Sequence, residues 1–147
     1  MEELFMLSIQ ISDIKDFMSH LLSKDTFDHF YFIEASIKMG VSYQIQGRIN
    51  EGFYDTSVEQ TLNREFCYWK EIRHRIFDII KGKRLPLSCK IVLGLSKQSI
   101  SYLIAHNNSS FREEDIEGIY INILYDPKNL LITTGISYKN FSLDKSL

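Results

Sequence analysis

The sequence predicts an α+β protein made of internally duplicated strand–helix–hairpin units. These form a mainly antiparallel sheet, with an additional central helix. Three observations predict it. Strand alternation and helix spacing sit side by side near the start. Leu7, Ile9 and Ile11 are separated by Ser8 and Gln10, and then Ile14, Phe17, Met18, Leu21 and Leu22 recur at steps of three and four. The order strand, helix, two strands then occurs twice along the chain. Finally, 147 residues with 44% apolar types are enough for one hydrophobic core. One domain over 1–147 is therefore expected, with pseudo-repeats 4–50 and 87–138 and a connecting helix 65–81.

Leu4 to Ile11 reads as the first strand. Ser12 is the expected cap of the first helix, and Asp13 and Asp16 suit the positive end of its dipole. Phe30 to Met39 and Val41 to Ile49 are rich in β-formers and meet at Gly40, which marks a hairpin. Asn50 to Asn63 is polar and reads as a loop or a short irregular strand. Glu65 to Lys81 carries a wide apolar stripe of Phe66, Trp69, Ile72, Ile76, Phe77, Ile79 and Ile80. Gly82 ends that helix and Pro86 prevents its resumption. Leu87 to Leu95 is a strand, Ser96 caps a helix over Lys97 to His106, and Arg112 to Glu117 reads as one helical turn. Ile119 to Tyr125 and Leu130 to Tyr138 are strands joined by Asp126-Pro127-Lys128-Asn129, a type I turn signal. The last residues are expected to fray.

The repetition can be aligned. Leu7 and Ile9 fall on Leu93 and Leu95, and Ile14, Phe17 and Met18 on Ile100, Leu103 and Ile104, all at an offset of 86. Tyr31 to Asn50 falls on Ile119 to Tyr138 at an offset of 88. One such unit has an apolar helix face and too few strands to cover it. Two units joined edge to edge, with both helices on one side, solve that problem.

The charge balance narrows the function. Lys and Arg number 17, and Asp and Glu 19, for a net charge of -2, which excludes a wholly basic nucleic-acid binder. Two cysteines, Cys67 and Cys89, make no disulfide framework and no CxxC, so both read as reduced core residues of a cytoplasmic protein. Glu2 and Glu3 sit where a secretory leader carries positive charge, and no apolar run reaches membrane-spanning length, so neither a leader nor a membrane partner is expected.

The middle of the chain is charge-biased. From Thr61 to Lys90 there are eight basic and three acidic residues. Arg73, Lys81, Lys83 and Arg84 are the candidate phosphate- or partner-binding residues, because arginine forks onto two oxygens and lysine follows a mobile anion. The run Lys81-Gly82-Lys83-Arg84 lacks the glycines and hydroxyl of a P-loop. Phe53, Tyr54 and Tyr68 are candidate aromatic anchors, since an exposed ring gives contact area at low entropic cost. No catalytic, metal or cofactor residue is identified. The four histidines have no metal-site spacing and no serine sits in a GxSxG elbow. Glu34 and Asp28 are the carboxylates whose burial would matter for acid chemistry, and His74 borders the basic patch.

Ile11 to Phe27, Glu34-Ala35-Ser36, Gly47-Arg48-Ile49-Asn50 and the block Ile80 to Val92 resemble an uncharacterised conserved protein family of anaerobic Firmicutes. That resemblance implies no activity. The doubled order, and Phe111 to Gly135 in particular, is similar to one domain of the DNA sliding clamps. This second resemblance implies two equivalent halves and assembly through edge strands. The function these readings favour is a non-enzymatic protein-interaction or structural module, a homodimer by edge-strand pairing, with an acidic protein as a further partner. The alternatives are a DNA- or RNA-associated clamp-like protein using the central basic patch, and a small enzyme whose site the sequence does not display.

Overall fold

In the computed structural model, residues 2–54, 64–106 and 113–138 are described. Among them are six strands and three α-helices: β1 (Glu2–Gln10), α1 (Ile14–Leu22), β2 (Tyr31–Lys38), β3 (Ser42–Gln46), α2 (Trp69–Ile80), β4 (Ser88–Gly94), α3 (Lys97–His106), β5 (Ile116–Tyr125) and β6 (Leu130–Tyr138). Short 3-10 turns occupy Glu51–Phe53 and Glu113–Asp115. The fold is α+β, with one antiparallel sheet in the order β1-β6-β5-β4-β2-β3.

One face of this sheet carries the core. Ala35 and Ile37 of β2, Cys89, Ile91 and Leu93 of β4, and Ile123 and Tyr125 of β5 alternate onto it, as period-two strands require. Leu21 and Leu22 of α1 and Trp69 and Ile76 of α2 close over these side chains. The indole N–H of fully buried Trp69 donates to the Leu21 carbonyl at 2.7 Å, so the two helices are fixed to each other by a buried hydrogen bond as well as by packing. Through the register, the row Gln10, Leu131, Leu124, Lys90, Ser36 and Gln44 crosses all six strands on the opposite face.

Several boundaries differ from the sequence reading. The α1 cap is Asp13, whose carboxylate accepts the Asp16 N–H at 3.0 Å, rather than Ser12. The second hairpin strand stops at Gln46, not Ile49. The connecting helix begins at Trp69 rather than Glu65. Residues 65–68 are held extended because Phe66 bridges Arg48 and Tyr68 bridges Tyr31. The Cys67 N–H donates to Gly47 O, and Cys67 O in turn accepts the Phe32 N–H. The Glu71 carboxylate takes the Tyr68 N–H at 2.8 Å, which ends the extended run and starts the helix. The loop over Asn50 to Asn63 is a 3-10 turn at its start, and its residues 55–63 lie outside the described residues, as does the chain end after Tyr138.

The order strand, helix, two strands does occur twice, but the two units are not laid out alike. β4 pairs with β5, whereas their counterparts β1 and β2 lie at separate places in the sheet. The second unit is inserted between the strands of the first: β1 pairs with β6, and β2 with β4. Two blocks joined edge to edge, as expected from the repetition, are therefore replaced by interleaved ones. The physical reason is that β2 finds its second partner in β4, which leaves β1 to extend the sheet at β6.

Candidate functional site

Exposed apolar residues of the described chain include a set where α2 returns to the sheet. Lys81 closes the helix with its N–H on the Phe77 carbonyl at 2.8 Å. Gly82 follows at φ 144°, a backbone state that favours glycine, with open space where a side chain would be. The chain then runs through exposed Lys83 and Arg84 to Leu85, Pro86 and Leu87. Pro86 is fully buried, while Leu85 and Leu87 are each 65% exposed. The Leu87 N–H donates to Lys38 O at 2.8 Å, one residue before β4 begins its pairing. Pro86 and this hydrogen bond anchor the loop, and the two flanking leucines are left in solvent. Across β2, the hairpin tip adds Val41, 64% exposed, and the helix end adds partly exposed Phe77. An apolar surface with Lys81, Lys83 and Arg84 beside it is the result.

The four basic candidates are thus not equivalent. Lys81, Lys83 and Arg84 belong to this surface. Lys81 lies 3.2 Å from Asp78 and 6.0 Å above the Phe77 ring. Both members of that ion pair are largely exposed, so it holds the lysine weakly. Arg73 lies apart from this surface: its guanidinium grips Asp28 through hydrogen bonds of 2.7 and 3.0 Å, with both side chains nearly buried. The Arg73 hydrogen bond outweighs burial and holds the Asp28 carboxyl below the ordinary carboxylate range. Asp28, not Glu34, is therefore the buried carboxylate, and its charge is structural. Glu34 on β2 and His74 on α2 are both exposed.

The aromatic candidates separate as well. Phe53 is 82% exposed and meets Tyr54 edge-on at 5.2 Å. Tyr68 is packed: Tyr31 stacks on it at 5.3 Å and the Arg64 guanidinium lies 4.5 Å from its ring centre. Arg64 in turn binds Glu71 at 2.6 Å. Burial pushes the Glu71 carboxyl up, but Arg64 and the Tyr68 N–H together bring it below its usual value. This is a closed structural network rather than an anchor waiting for a partner.

A second feature lies at the sheet's edge. Among the described residues, the nine-residue strand β1 is paired on one side only, and its Leu7 and Ile9 are 49% and 47% exposed. Sequence alternation marked both as strand residues, and the position of β1 in the sheet leaves them half uncovered. The other edge, β3, has five residues, with Ser42, Gln44 and Gln46 among them. Leu85 and Leu87 were likewise missed as display residues. Local pattern gave no signal for them, because alternation groups Leu87 with core-facing Cys89 and Ile91, and it is the burial of Pro86 in the fold that leaves the leucines outside.

A groove of about 600 Å³ on the open sheet face is lined by Lys38, Lys90, Ser36, Ser88, Leu124 and Leu131, among others. Another, of about 540 Å³, has Tyr31, Phe66, Tyr120, Arg64, Lys97 and Glu117 in its walls. Among the described residues, no three His, Cys, Asp or Glu side chains come together in a way that could hold a metal ion, and no helix is long and apolar enough to cross a membrane. Burial pushes the Cys89 thiol up to about 12, and burial raises Cys67 as well, so neither is a reactive thiolate. In comparison with known proteins, a family model described as "Family of unknown function (DUF5721)" matches residues 20–147. No curated protein and no solved structure matches the chain.

Proposed function

The chain belongs to this family of unknown function, DUF5721, and from that premise we propose that it is a non-enzymatic interaction module that works as a homodimer joined through β1. The observation that carries this reading is the asymmetry of the two sheet edges. β3 is short and polar, as a protected edge should be. β1 is long, has no proline or lysine, and is uncharged from Leu4 to Gln10. A free strand of that kind invites pairing. Its sequence accepts a second copy. An antiparallel two-fold pairing centred on Met6 sets Glu2 against Gln10 and Glu3 against Ile9, so no like charges oppose each other. Leu7 and Ile9 then gain cover from the partner's strand.

The nucleic-acid alternative keeps three of its four candidate cations once Arg73 is spent on Asp28. Light scattering during gel filtration tests the proposal. The wild-type chain is expected at twice its 17.3 kDa monomer mass. Leu7→Lys and Ile9→Lys, which put a charge on the β1 edge, are expected to give monomers, and Gln44→Lys on β3 to leave the dimer intact. A wild-type monomer at high micromolar concentration would overturn the reading.

A further inference from the structure

The surface around Leu85 and Leu87 belongs to a different part of the sheet from β1, and we infer that it docks an acidic, extended protein segment carrying two apolar side chains. This rests on the reading of the chain as an interaction module but not on its dimerisation.

The apolar half of the argument is geometric. Leu85 and Leu87 are each 65% exposed although the residue between them is fully buried and the backbone after it is hydrogen-bonded to β2. The loop cannot fold these side chains inward without extracting Pro86 from the core. Val41 stands on the far side of Lys38, which pairs with both Ser42 and Ser88, so Val41 and Leu87 are about two strand spacings apart, roughly 10 Å. Several large apolar side chains displayed together on a fixed frame mark a docking surface. Two leucines separated by one residue fit a partner whose own apolar residues are spaced in the same way.

The charged half selects the partner's sign. From Ile79 to Leu87 the chain has Lys81, Lys83 and Arg84 and no acidic residue. Carboxylates flanking two apolar residues would meet these cations while the leucines are covered. Nucleic acid would satisfy the cations but leave Leu85, Leu87 and Val41 in water, which favours a protein partner.

The test is selection of a random dodecapeptide display library on the immobilised full-length chain, followed by affinity measurement of the enriched peptides by fluorescence anisotropy. Enriched peptides are expected to be net acidic with apolar residues two apart, and to bind more weakly as salt rises. Leu85→Ser/Leu87→Ser is expected to weaken them about tenfold or more, the scale of a truncated interface anchor. Lys83→Glu/Arg84→Glu is expected to do the same. All four positions are exposed, so both variants should keep the wild-type unfolding midpoint and mass. Leu7→Lys is expected to alter the mass but not the peptide affinity, which separates failure of the dimer from failure of this surface. Enrichment of neutral or basic peptides, equal binding to Leu85→Ser/Leu87→Ser, or no enrichment would each overturn the inference. So would stronger binding of a 20-base-pair duplex or of phosphatidylserine vesicles at the same salt.

Discussion

The Asp28 carboxylate and the Arg73 guanidinium meet through two hydrogen bonds at the base of α2, with little solvent around either. Folding lowers the Asp28 pKa, so the folded chain holds that proton less tightly than the unfolded chain. The pair's stabilisation is therefore full above the ordinary carboxylate range and is lost as pH falls through the lowered folded value. Asp28→Asn leaves a nearly buried guanidinium without its counter-charge and is expected to cost about 3 kcal/mol in urea unfolding at pH 7. Measured from pH 6 down to pH 2, the difference between wild type and variant should shrink as the wild-type carboxylate takes up its proton. A difference that stays constant with pH would show that the Asp28 charge is not what stabilises the fold. Arg73→Lys keeps the charge without the fork and should recover only part of the stability. Sequence alone singled out Asp28 and Arg73 separately, one as a carboxylate and one as a phosphate ligand. Their pairing spans 45 positions, and no local pattern carries a contact of that range.

At the scale of elements, the turn from β3 into the bridge at Arg48 depends on Gly47. A side-chain carbon there would lie 1.9 Å from the Phe32 carbonyl oxygen, a backbone atom that cannot swing aside. The same residue donates to Ile33 O and accepts from Cys67, so it stitches the 65–68 segment to the sheet. Gly47→Ala is expected to destabilise the chain by about 2 kcal/mol or more, in the range of forced overpacking. Gly40→Ala and Gly52→Ala, with nothing within 4 Å of the added carbon, should be close to neutral in the same thermal unfolding series. If Gly47→Ala behaves like those two, the contact is not as tight as described. The helices and strands themselves were largely legible, because each has a clear apolar period: α3 and β6 have the bounds expected from the sequence, and α1 and β4 lie within a residue or two. Residues 65–68 were not. Phe66 fits the helical stripe, yet Arg48 and Tyr31 offer it and Tyr68 an extended partner, and this tertiary pairing wins over local periodicity.

At the scale of the whole molecule, the described residues form a six-stranded antiparallel sheet with α1 and α2 on one face and two unlike edges. The repeated element order was readable, but the sheet order was not, since periodicity says which segments are strands and not which strands are neighbours. That difference decides the functional reading. Interleaving leaves β1 at the rim, with Leu7 and Ile9 half exposed, where a matching pair of halves would have covered them. It also separates the two surfaces with something to offer: β1 lies at one edge of the sheet, and Leu85 and Leu87 flank β4 at one end, next to β2 and the β3 hairpin. A dimer through β1 would extend the sheet across two copies and present the basic, leucine-bearing surface twice. Duplicated presentation raises the apparent affinity for a partner that carries two acidic segments, provided its linker spans both sites.

Amide hydrogen exchange along β1, followed by NMR over a range of protein concentrations, tests the dimer most directly. Alternate N–H groups of β1 point to β6, and the others point away from it. Dimerisation through this edge predicts that the outward set exchanges slowly at high concentration and speeds up on dilution, while the inward set changes much less. Rapid exchange of the outward amides at every concentration would contradict it, and β1 would then be a bare edge.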